Sequence, residues 1–254
     1  MTCRAEALLA VRELALADRV VLVTGAAGAL GGAITEEFRR QGATVVGADL
    51  HGSDCLHADV GTADGNRLAI ETVMREHGRL DALVLNAGLQ HMAPLDTFPE
   101  ERWRALLDVM VTGPFLAIKQ AWPHLTARPG GRILVTASTS SFEGERFKAA
   151  YVTAKHGVLG LVKVAALEGA AHGLTANAVA PSWMRTTLIE KQVADRMALL
   201  GRTEEDVVSE LVAEHAVPRF VEPSEVAATL AFLASPAASG ITGACVPVDI
   251  GALA

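Results

Sequence analysis

The only tyrosine of this 254-residue chain, Tyr151, lies four residues before Lys155 and thirteen after Ser138. Residues four apart on a helix share one face, so the phenol and the ammonium are expected to point into one site. The lysine cation favours the phenolate and brings a phenol, whose ordinary pKa is about 10, toward the range of a general acid/base. The serine hydroxyl is expected to hold a substrate oxygen beside the phenol. A half-buried tyrosine beside a surface lysine has the same spacing. The spacing therefore indicates a catalytic pair only if other residues build a cofactor site around it.

The elements that must position these residues follow two alternating patterns. β-Branched apolar runs predict strands, and helical periodicity predicts helices between them. The predicted strands are 20–24, 44–48, 82–86, 132–136, 175–180 and 245–248, and the predicted helices are 30–41, 67–77, 99–125, 149–172 and 223–234. This alternation predicts an α/β fold in which one doubly wound parallel sheet carries helices on both faces. One NAD-binding catalytic domain is assigned to 19–254, with a small helical substrate lid at about 186–220 and an N-terminal extension at 1–18.

The composition argues against several classes of protein. The net charge of −7 disfavours a nucleic-acid surface, which needs clustered Lys and Arg. Charged residues interrupt the Ala/Leu-rich N-terminus, and no later apolar run is judged long enough to span a membrane. The three cysteines, and the group His51, Asp54, Cys55 and His57, lack the spacing of a metal site. The chain is therefore expected to be cytoplasmic, with no nucleic-acid or membrane partner and no metal.

A glycine-rich loop follows the first predicted strand and opens the first predicted helix. It runs from Thr24 to Gly31 and includes Gly25 and Gly28. Glycines allow a tight turn there, and the helix N-terminus offers free N–H groups to a pyrophosphate. Asp49 ends the second strand, where a carboxylate bonds the adenosine ribose and repels a 2′-phosphate. Ordinary turns also use glycine and aspartate, but their combined position predicts a dinucleotide site and favours NAD over NADP.

In their order and distances, these motifs resemble those of the short-chain dehydrogenase/reductase family over 19–251. The matching motifs are the glycine loop, Asp59-Val60, Asn86-Ala87-Gly88, the spacing of Ser138, Tyr151 and Lys155, and Pro181 through Thr186. The resemblance implies a Rossmann-like sheet, catalysis by Ser138, Tyr151 and Lys155, and a homotetramer built through the helices 99–125 and 149–172. It also implies that NAD is bound by residues from all these motifs: Gly25, Leu30, Gly31, Asp49, Asp59, Val60, Asn86, Ala87, Gly88, Tyr151, Lys155, Pro181, Met184 and Thr186.

Within that family, the segment 177–248 is similar to the 3-hydroxybutyrate dehydrogenases, which oxidise (R)-3-hydroxybutyrate to acetoacetate with NAD. The resemblance implies that a small hydroxy-acid or keto-acid substrate contacts Gln90, Ser138, Lys148, Trp183 and Gln192. An ammonium and two amides are suited to bind a small carboxylate while the serine and the tyrosine hold the reacting oxygen. Taken singly, Gln90, Lys148 and Gln192 also fit a loop amide, a solvated lysine and an exposed helix residue.

Four departures from the family pattern leave alternatives open. Ala29 takes the place of the middle glycine of the loop, and Met110 replaces an asparagine that helps to hold a proton-relay water. Because a thioether does not replace an amide as donor and acceptor, Met110 leaves open a slow enzyme or a catalytically silent NAD-binding protein; core packing also explains it. Ser140, in place of a histidine, and a tail without the usual glycine and tryptophan leave open another small alcohol or ketone as substrate.

Overall fold

The predicted strands form one parallel sheet in a computed structural model that describes residues 15–254. Its strands are β1 (Val20–Thr24), β2 (Thr44–Asp49), β3 (Leu56–His57), β4 (Ala82–Leu85), β5 (Arg132–Thr136), β6 (Thr175–Pro181) and β7 (Cys245–Val248). Their order is β3-β2-β1-β4-β5-β6-β7, and all neighbours are parallel. The predicted Rossmann-like sheet is confirmed, although the two-residue strand β3 was not predicted because so short a run carries no periodicity. Most of the predicted N-terminal extension, residues 1–14, lies outside the described residues.

Helices occupy most of the connections between the strands. They are α1 (Ala29–Arg40), α2 (Ala63–His77), α3 (Glu100–Leu107), α4 (Gly113–Leu125), α5 (Ala149–Gly169), α6 (Thr187–Leu200), α7 (Glu204–Ala213) and α8 (Pro223–Ala234). The predicted helix 99–125 is therefore two helices, joined by a π turn at Asp108–Thr112. Such a turn bends a helix without ending it. Gly113, directly after this turn, lies close to Val60 in the connection between β3 and α2. A Cβ on Gly113 would lie 2.4 Å from the carbonyl oxygen of Val60.

Both faces of the sheet are covered, as the alternation of side chains along β1 shows. Val20 and Leu22 belong to an apolar cluster shared with α2, α4 and α5, whereas Val21 and Val23 belong to a second cluster shared with α1 and α8. Successive residues of a strand point to opposite faces, and all of β1 is buried. Helices therefore lie on both faces, as predicted, and the continuous sheet makes this one domain.

The chain leaves the sheet after β6 and forms a small helical segment before α8. Helices α6 and α7 share an apolar cluster of their own, formed by Ile189, Val193, Val207 and Leu211. A parallel bridge between Met184 and Val221 joins the two ends of the segment. These helices coincide with the helical segment predicted at about 186–220, and they follow the carboxyl end of β6, the neighbour of the edge strand β7.

One helix in the described part of the chain, Ala149–His172, is long and apolar enough to cross a membrane by length and composition alone. The prediction that no run reaches this length was wrong. Core helices of globular proteins pass the same test, and this helix packs on the sheet through Val158 and Val162, which are 1% exposed. The length and apolar composition of this helix are therefore weak evidence for a membrane span.

Candidate active site

The glycine-rich loop is shaped by two glycines that have no room for a side chain. Gly25 has φ of 68°, and a Cβ on it would lie 2.7 Å from the Cα of Ala87. A Cβ on Gly31 would lie 2.0 Å from the carbonyl oxygen of Gly25. Gly28 is different, because its nearest neighbour would be 3.5 Å away and its φ is negative. The loop therefore reaches its tight shape with Ala29 at the first position of α1, and the departure there leaves the turn intact.

Asp49 and Asn86 fix this loop to the sheet. Asp49 is the last residue of β2, and its Oδ2 accepts a hydrogen bond from the backbone N–H of Ala27 in the loop at 3.0 Å. Asn86 follows β4, and its Nδ2 donates to the carbonyl oxygens of Thr24 and Gly25, both at 3.2 Å. Its Oδ1 accepts from the Thr136 hydroxyl at 3.1 Å. One amide thus ties together the carboxyl ends of β1, β4 and β5, where an α/β sheet binds its ligands.

A cavity of about 280 Å³ opens along this carboxyl edge. Most of the predicted site residues line it: Gly25, Leu30, Gly31, Asp49, Asn86, Ala87, Gly88, Ser138, Lys148, Tyr151, Lys155, Pro181, Trp183, Met184, Thr186 and Gln192. Three predicted residues do not, namely Asp59, Val60 and Gln90. The Asp59 carboxylate instead accepts from the N–H of Gly61 at 3.0 Å, where it shapes the turn into α2.

The three predicted catalytic side chains meet in the middle of the cavity. Ser138 follows β5 and begins a short 3-10 turn; its Oγ accepts from the N–H of Ser140 at 3.1 Å. Tyr151 and Lys155 lie one turn apart near the start of α5, with the ammonium 5.5 Å from the centre of the phenol ring. Lys155 Nζ donates to the carbonyl oxygen of Thr136 at 2.6 Å. A strand end and a helix start thus hold the hydroxyl, the phenol and the ammonium together.

Burial dominates the pKa values of this group. It raises the pKa of Tyr151 to about 12; a hydrogen bond with Ser138 acts against the increase, and the charge of Glu145 adds to it. Burial lowers the pKa of Lys155 to about 8. The direction for Tyr151 is opposite to the one expected from a neighbouring lysine, because removing the phenolate from water costs more than the nearby groups return. Burial therefore opposes ionisation of the phenol.

A second buried ammonium lines the cavity beside Trp183. Lys148, just before α5, is 2% exposed; its Nζ lies 2.7 Å from Glu145 Oε1 and 4.2 Å from the centre of the Trp183 ring. Burial lowers the pKa of Lys148 to about 8, against the raising effect of Glu145. The interpretation of Lys148 as a solvated loop lysine is therefore excluded. A buried cation in a cavity is suited to a small anion.

The two predicted glutamines pair with each other. Gln90 Nε2 donates to Gln192 Oε1 at 3.4 Å, and both side chains are buried. Only Gln192, on α6, lines the cavity. Gln90 lies behind it, and its Oε1 has no hydrogen-bond partner among the described residues. Gln90 and Gln192, both predicted to contact the substrate, therefore contact each other, and of the two only Gln192 lines the cavity.

Two charged residues near Lys148, Glu145 and Arg196, were not predicted. Arg196 on α6 donates from Nη2 to the same Glu145 oxygen that holds Lys148, at 2.7 Å, and its Cζ lies 5.0 Å from the Trp183 ring. Ser140 Oγ donates to the second Glu145 oxygen at 3.1 Å. A signal existed in the spacing: Glu145 precedes Lys148 by three residues, and Arg196 follows Gln192 by four. Positions of this kind share a helical face, but Glu145 lies in a loop, where the rule carries less weight.

Met110 lies beside the catalytic helix and not in the cavity. Its side chain is 2% exposed and packs with Leu106, Ala150 and Ala154 in a small apolar cluster that Tyr151 also contacts. Core packing therefore accounts for the thioether. Within residues 15–254, no group of three or more His, Cys, Asp or Glu side chains is placed to hold a metal ion.

Comparison with known proteins agrees with this geometry. The family model described as enoyl-(acyl carrier protein) reductase matches residues 25–252. The oxidoreductase YxjF of Bacillus subtilis (strain 168) is 39% identical over 251 residues, which cover 92% of this chain and 97% of that protein. The D-beta-hydroxybutyrate dehydrogenase of Cupriavidus necator is 37% identical over 253 residues, with coverages of 93% and 98%.

A solved structure extends the likeness to three dimensions. The ligand-free aldohexose dehydrogenase of Thermoplasma acidophilum superposes with a TM-score of 0.87 and 34% identity, over 94% of this chain and 95% of that one. The predicted resemblance over nearly the whole chain is thereby confirmed. With its parallel sheet, its glycine-rich loop and these relatives, the chain belongs to the short-chain dehydrogenase/reductase family of oxidoreductases.

Proposed function

We propose that this oxidoreductase uses NAD to interconvert (R)-3-hydroxybutyrate, or a similar short 3-hydroxy acid, and its 3-keto acid. One observation carries the proposal: a single cavity joins Ser138, Tyr151 and Lys155 to the buried ammonium of Lys148. A short hydroxy acid has matching features, a carbinol at one end and a carboxylate at the other. Hydroxybutyrate dehydrogenases of Cupriavidus necator and Rhizobium meliloti, 37% and 32% identical, support this choice of substrate.

The cofactor half of the cavity is suited to a dinucleotide. The absence of space for side chains at Gly25 and Gly31 keeps the loop tight, and the N-terminus of α1 opens toward the cavity, where its free N–H groups favour a pyrophosphate. Asp49 lines the same end, and its carboxylate repels a 2′-phosphate, which favours NAD over NADP. Pro181, Met184 and Thr186 line the opposite wall, at the start of the lid. Asp59 and Val60 act from outside the cavity by supporting the turn before α2.

Proton transfer is assigned to Tyr151. Bound NAD would supply the hydride acceptor for the oxidation, and the positive charge of its oxidised nicotinamide ring would favour the phenolate of Tyr151. Tyr151 takes the substrate hydroxyl proton in the oxidation and returns it in the reduction. Ser138 donates a hydrogen bond to the reacting oxygen and stabilises its developing charge. Lys155, held by the carbonyl of Thr136, keeps its ammonium beside the phenol.

Recognition of the carboxylate is assigned to Lys148 and Gln192, which line the cavity, with Gln90 supporting Gln192 from behind. Trp183 forms the apolar wall under the ammonium. A charge-assisted hydrogen bond to a desolvated ammonium is stronger than one between neutral groups. Loss of such a contact therefore raises KM more than it lowers kcat.

A second candidate function is the oxidation of another small alcohol or the reduction of another ketone. The observation in its favour is Ser140, which lines the cavity where the hydroxybutyrate dehydrogenases carry a histidine. The likeness to an aldohexose dehydrogenase also shows that this fold accepts other carbinols. A catalytically silent NAD-binding protein is the remaining alternative, because Met110 takes the place of the relay asparagine.

We assign the protein to the cytoplasm as a homotetramer built through the helices of 99–125 and 149–172. Apolar side chains on these helices support the assembly: Leu167 is 80% exposed, Val164 51% and Phe115 49%. A second copy of the chain that covers them would remove this apolar surface from water. Analytical ultracentrifugation of the purified full chain tests the assembly, and a monomer would contradict it.

The assay for the proposed reaction follows the absorbance of NADH with purified protein, (R)-3-hydroxybutyrate, and NAD or NADP. Turnover is expected with NAD and the R enantiomer, and Tyr151→Phe is expected to lose ~10²–10⁴-fold in kcat while it still binds NAD. Turnover of neutral alcohols but not of the acid would favour the second candidate. NAD binding without turnover of any alcohol or ketone would contradict the enzyme assignment.

A further inference from the structure

The substrate end of the cavity contains a carboxylate that the mechanism above does not use. Glu145 lines the cavity, and its side chain is 19% exposed. Both of its oxygens are bound by side chains: Oε1 by Lys148 and Arg196, and Oε2 by Ser140. The binding partners come from three places, which are the turn after β5, the residues just before α5, and the lid helix α6. Glu145 therefore joins the lid to the segment that enters the catalytic helix.

The arrangement is energetically specific. Removing a charge from water is costly, and pairing offsets that cost only when the geometry is good. Here one carboxylate oxygen holds two cations at 2.7 Å each, and the Trp183 ring contacts both cations from the side. Without the Glu145 charge, the two cations would repel each other across the same space. The lid helix would then lose its ionic contact with the floor of the cavity.

We propose that Glu145 is a positioning residue for the substrate carboxylate: it fixes the ammonium of Lys148 at the cavity wall and holds the lid helix over it through Arg196. The inference rests on the proposed hydroxy-acid substrate, since the ammonium needs an anion to bind. A lysine ammonium has three N–H donors, and Glu145 engages one of them. Glu145 thus orients the group without using all its hydrogen-bonding capacity.

The role predicts a separation between binding and chemistry. Glu145 contacts the carboxylate-binding ammonium directly, whereas it reaches Ser138, assigned to the reacting oxygen, only through Ser140, whose hydroxyl accepts from Ser138 Oγ at 3.2 Å. In Glu145→Gln, KM for (R)-3-hydroxybutyrate is expected to rise about 10- to 100-fold, the range of a lost hydrogen bond to a charged group. The KM for the uncharged methyl ester of the same acid is expected to change less than about 3-fold, because the ester offers no carboxylate. Any change in kcat is expected to be the same factor for acid and ester, because the charge of Glu145, which raises the pKa of Tyr151, acts on both substrates alike.

A matched control is available two residues away. Glu143 is exposed, so Glu143→Gln removes the same charge without touching Lys148 or Arg196. Its KM values for acid and ester are expected to equal those of the wild type. Thermal melting of each variant checks that it is folded. If Glu145→Gln fails to fold, Arg196→Gln, which removes the contacts of the lid helix with Glu145 and Trp183 and keeps the Lys148–Glu145 pair, is expected to raise KM for the acid and not for the ester.

Two kinetic outcomes would overturn the inference. An equal change in KM for acid and ester would indicate a purely structural role for Glu145. A lower KM for the acid in Glu145→Gln would mean that Glu145 competes with anionic substrates. Either result leaves the proposed dehydrogenase reaction standing, because turnover of the acid is still observed.

A binding measurement separates this inference from the proposed function. Acetoacetate is titrated calorimetrically into the full-length protein saturated with NADH. Weaker binding to Glu145→Gln than to wild type supports the positioning role, even if the preferred reaction proves to be another carbinol oxidation. Equal binding to both proteins, or no binding to the wild type, rejects it.

Discussion

The two halves of the cavity are built in different ways. The cofactor half is made largely by backbone: Gly25 and Gly31 bring chain segments closer than any side chain permits, and Asn86 ties three strand ends together. The substrate half is made by charged and aromatic side chains from separate segments, centred on Glu145 and Trp183. A backbone site tolerates one shape and serves one cofactor class, whereas a side-chain site changes its ligand with a few substitutions. The family resemblance is accordingly firmer for the cofactor than for the substrate.

The largest effect on the cofactor half is expected from adding one methyl group at Gly31. In Gly31→Ala, the new Cβ would lie 2.0 Å from the Gly25 oxygen and 2.7 Å from the Ala26 Cα. Overpacking of this kind lowers the free energy of unfolding by about 1–3 kcal/mol, so a lower melting temperature is expected. The Kd for NAD is also expected to rise, because the loop must move away from its tight shape to relieve the contact. Calorimetric titration with NAD and thermal melting measure both effects.

The adjacent glycine provides the control. A Cβ on Gly32 has no neighbour within 4 Å, and the residue lies in α1. Gly32→Ala is therefore expected to bind NAD normally and to gain about 0.5–1 kcal/mol in stability from its helix propensity. Wild-type affinity for NAD in Gly31→Ala would show that the loop adjusts, and that the cofactor half is less rigid than its geometry indicates.

The same contrast explains which parts of the molecule could be predicted from the sequence. Strands such as β1 and β5 were predicted with their bounds because their apolar β-branched runs are local signals. The π turn within 99–125 was not, because it depends on the packing of Gly113 against a distant carbonyl. Lys148 and Gln192 entered through the family resemblance, whereas Glu145 and Arg196 were missed. Glu145 and Arg196 form an ion pair although they lie fifty-one residues apart in the sequence. Periodicity within one segment cannot predict a contact of this kind.

We expect binding in the substrate half to depend on pH and binding in the cofactor half to be independent of it. Burial lowers the pKa of Lys148 to about 8, so the carboxylate-binding cation is present below pH 8 and lost above it. Its charged surroundings are Glu145 and Glu214, which raise that pKa, and Arg196, which lowers it; the Tyr151 ring lies 5.7 Å away. KM for (R)-3-hydroxybutyrate is expected to be flat below pH 8 and to rise by up to about 10-fold per pH unit above it. Initial rates measured on both sides of pH 8 give the profile.

The methyl ester of the substrate is the internal comparison for this profile. It has no charge for the ammonium to bind, so its KM is expected to stay level across the same range. The Kd for NAD is also expected to stay level, because Lys148 is not among the residues assigned to NAD. A parallel rise of both KM values would assign the pH effect to Tyr151 or Lys155 and not to recognition of the carboxylate.

The smallest effect is expected at Met110, which lies outside both halves but packs against the catalytic helix. Restoring the family's amide in Met110→Asn provides a donor and an acceptor for a water near Lys155, and kcat is expected to rise a few-fold with an unchanged Kd for NAD. The gain is expected to be below the ~10²–10⁴-fold of a complete acid/base group, because the amide assists the proton relay and is not itself the acid/base. Burying an amide in an apolar cluster is expected to lower the free energy of unfolding by about 1–3 kcal/mol. Steady-state rates and urea unfolding measure the two effects.

Met110→Leu separates the relay from the packing. Leucine keeps the apolar contacts with Leu106, Ala150 and Ala154 and offers no hydrogen bond, so turnover is expected to match the wild type with a change of less than about 1.5 kcal/mol in stability. If Met110→Asn loses stability and gains no turnover, the site has a working proton route that needs no amide at this position. The methionine would then be an ordinary core residue. The relay would count among the features in which members of the family differ, as the substrate half already does.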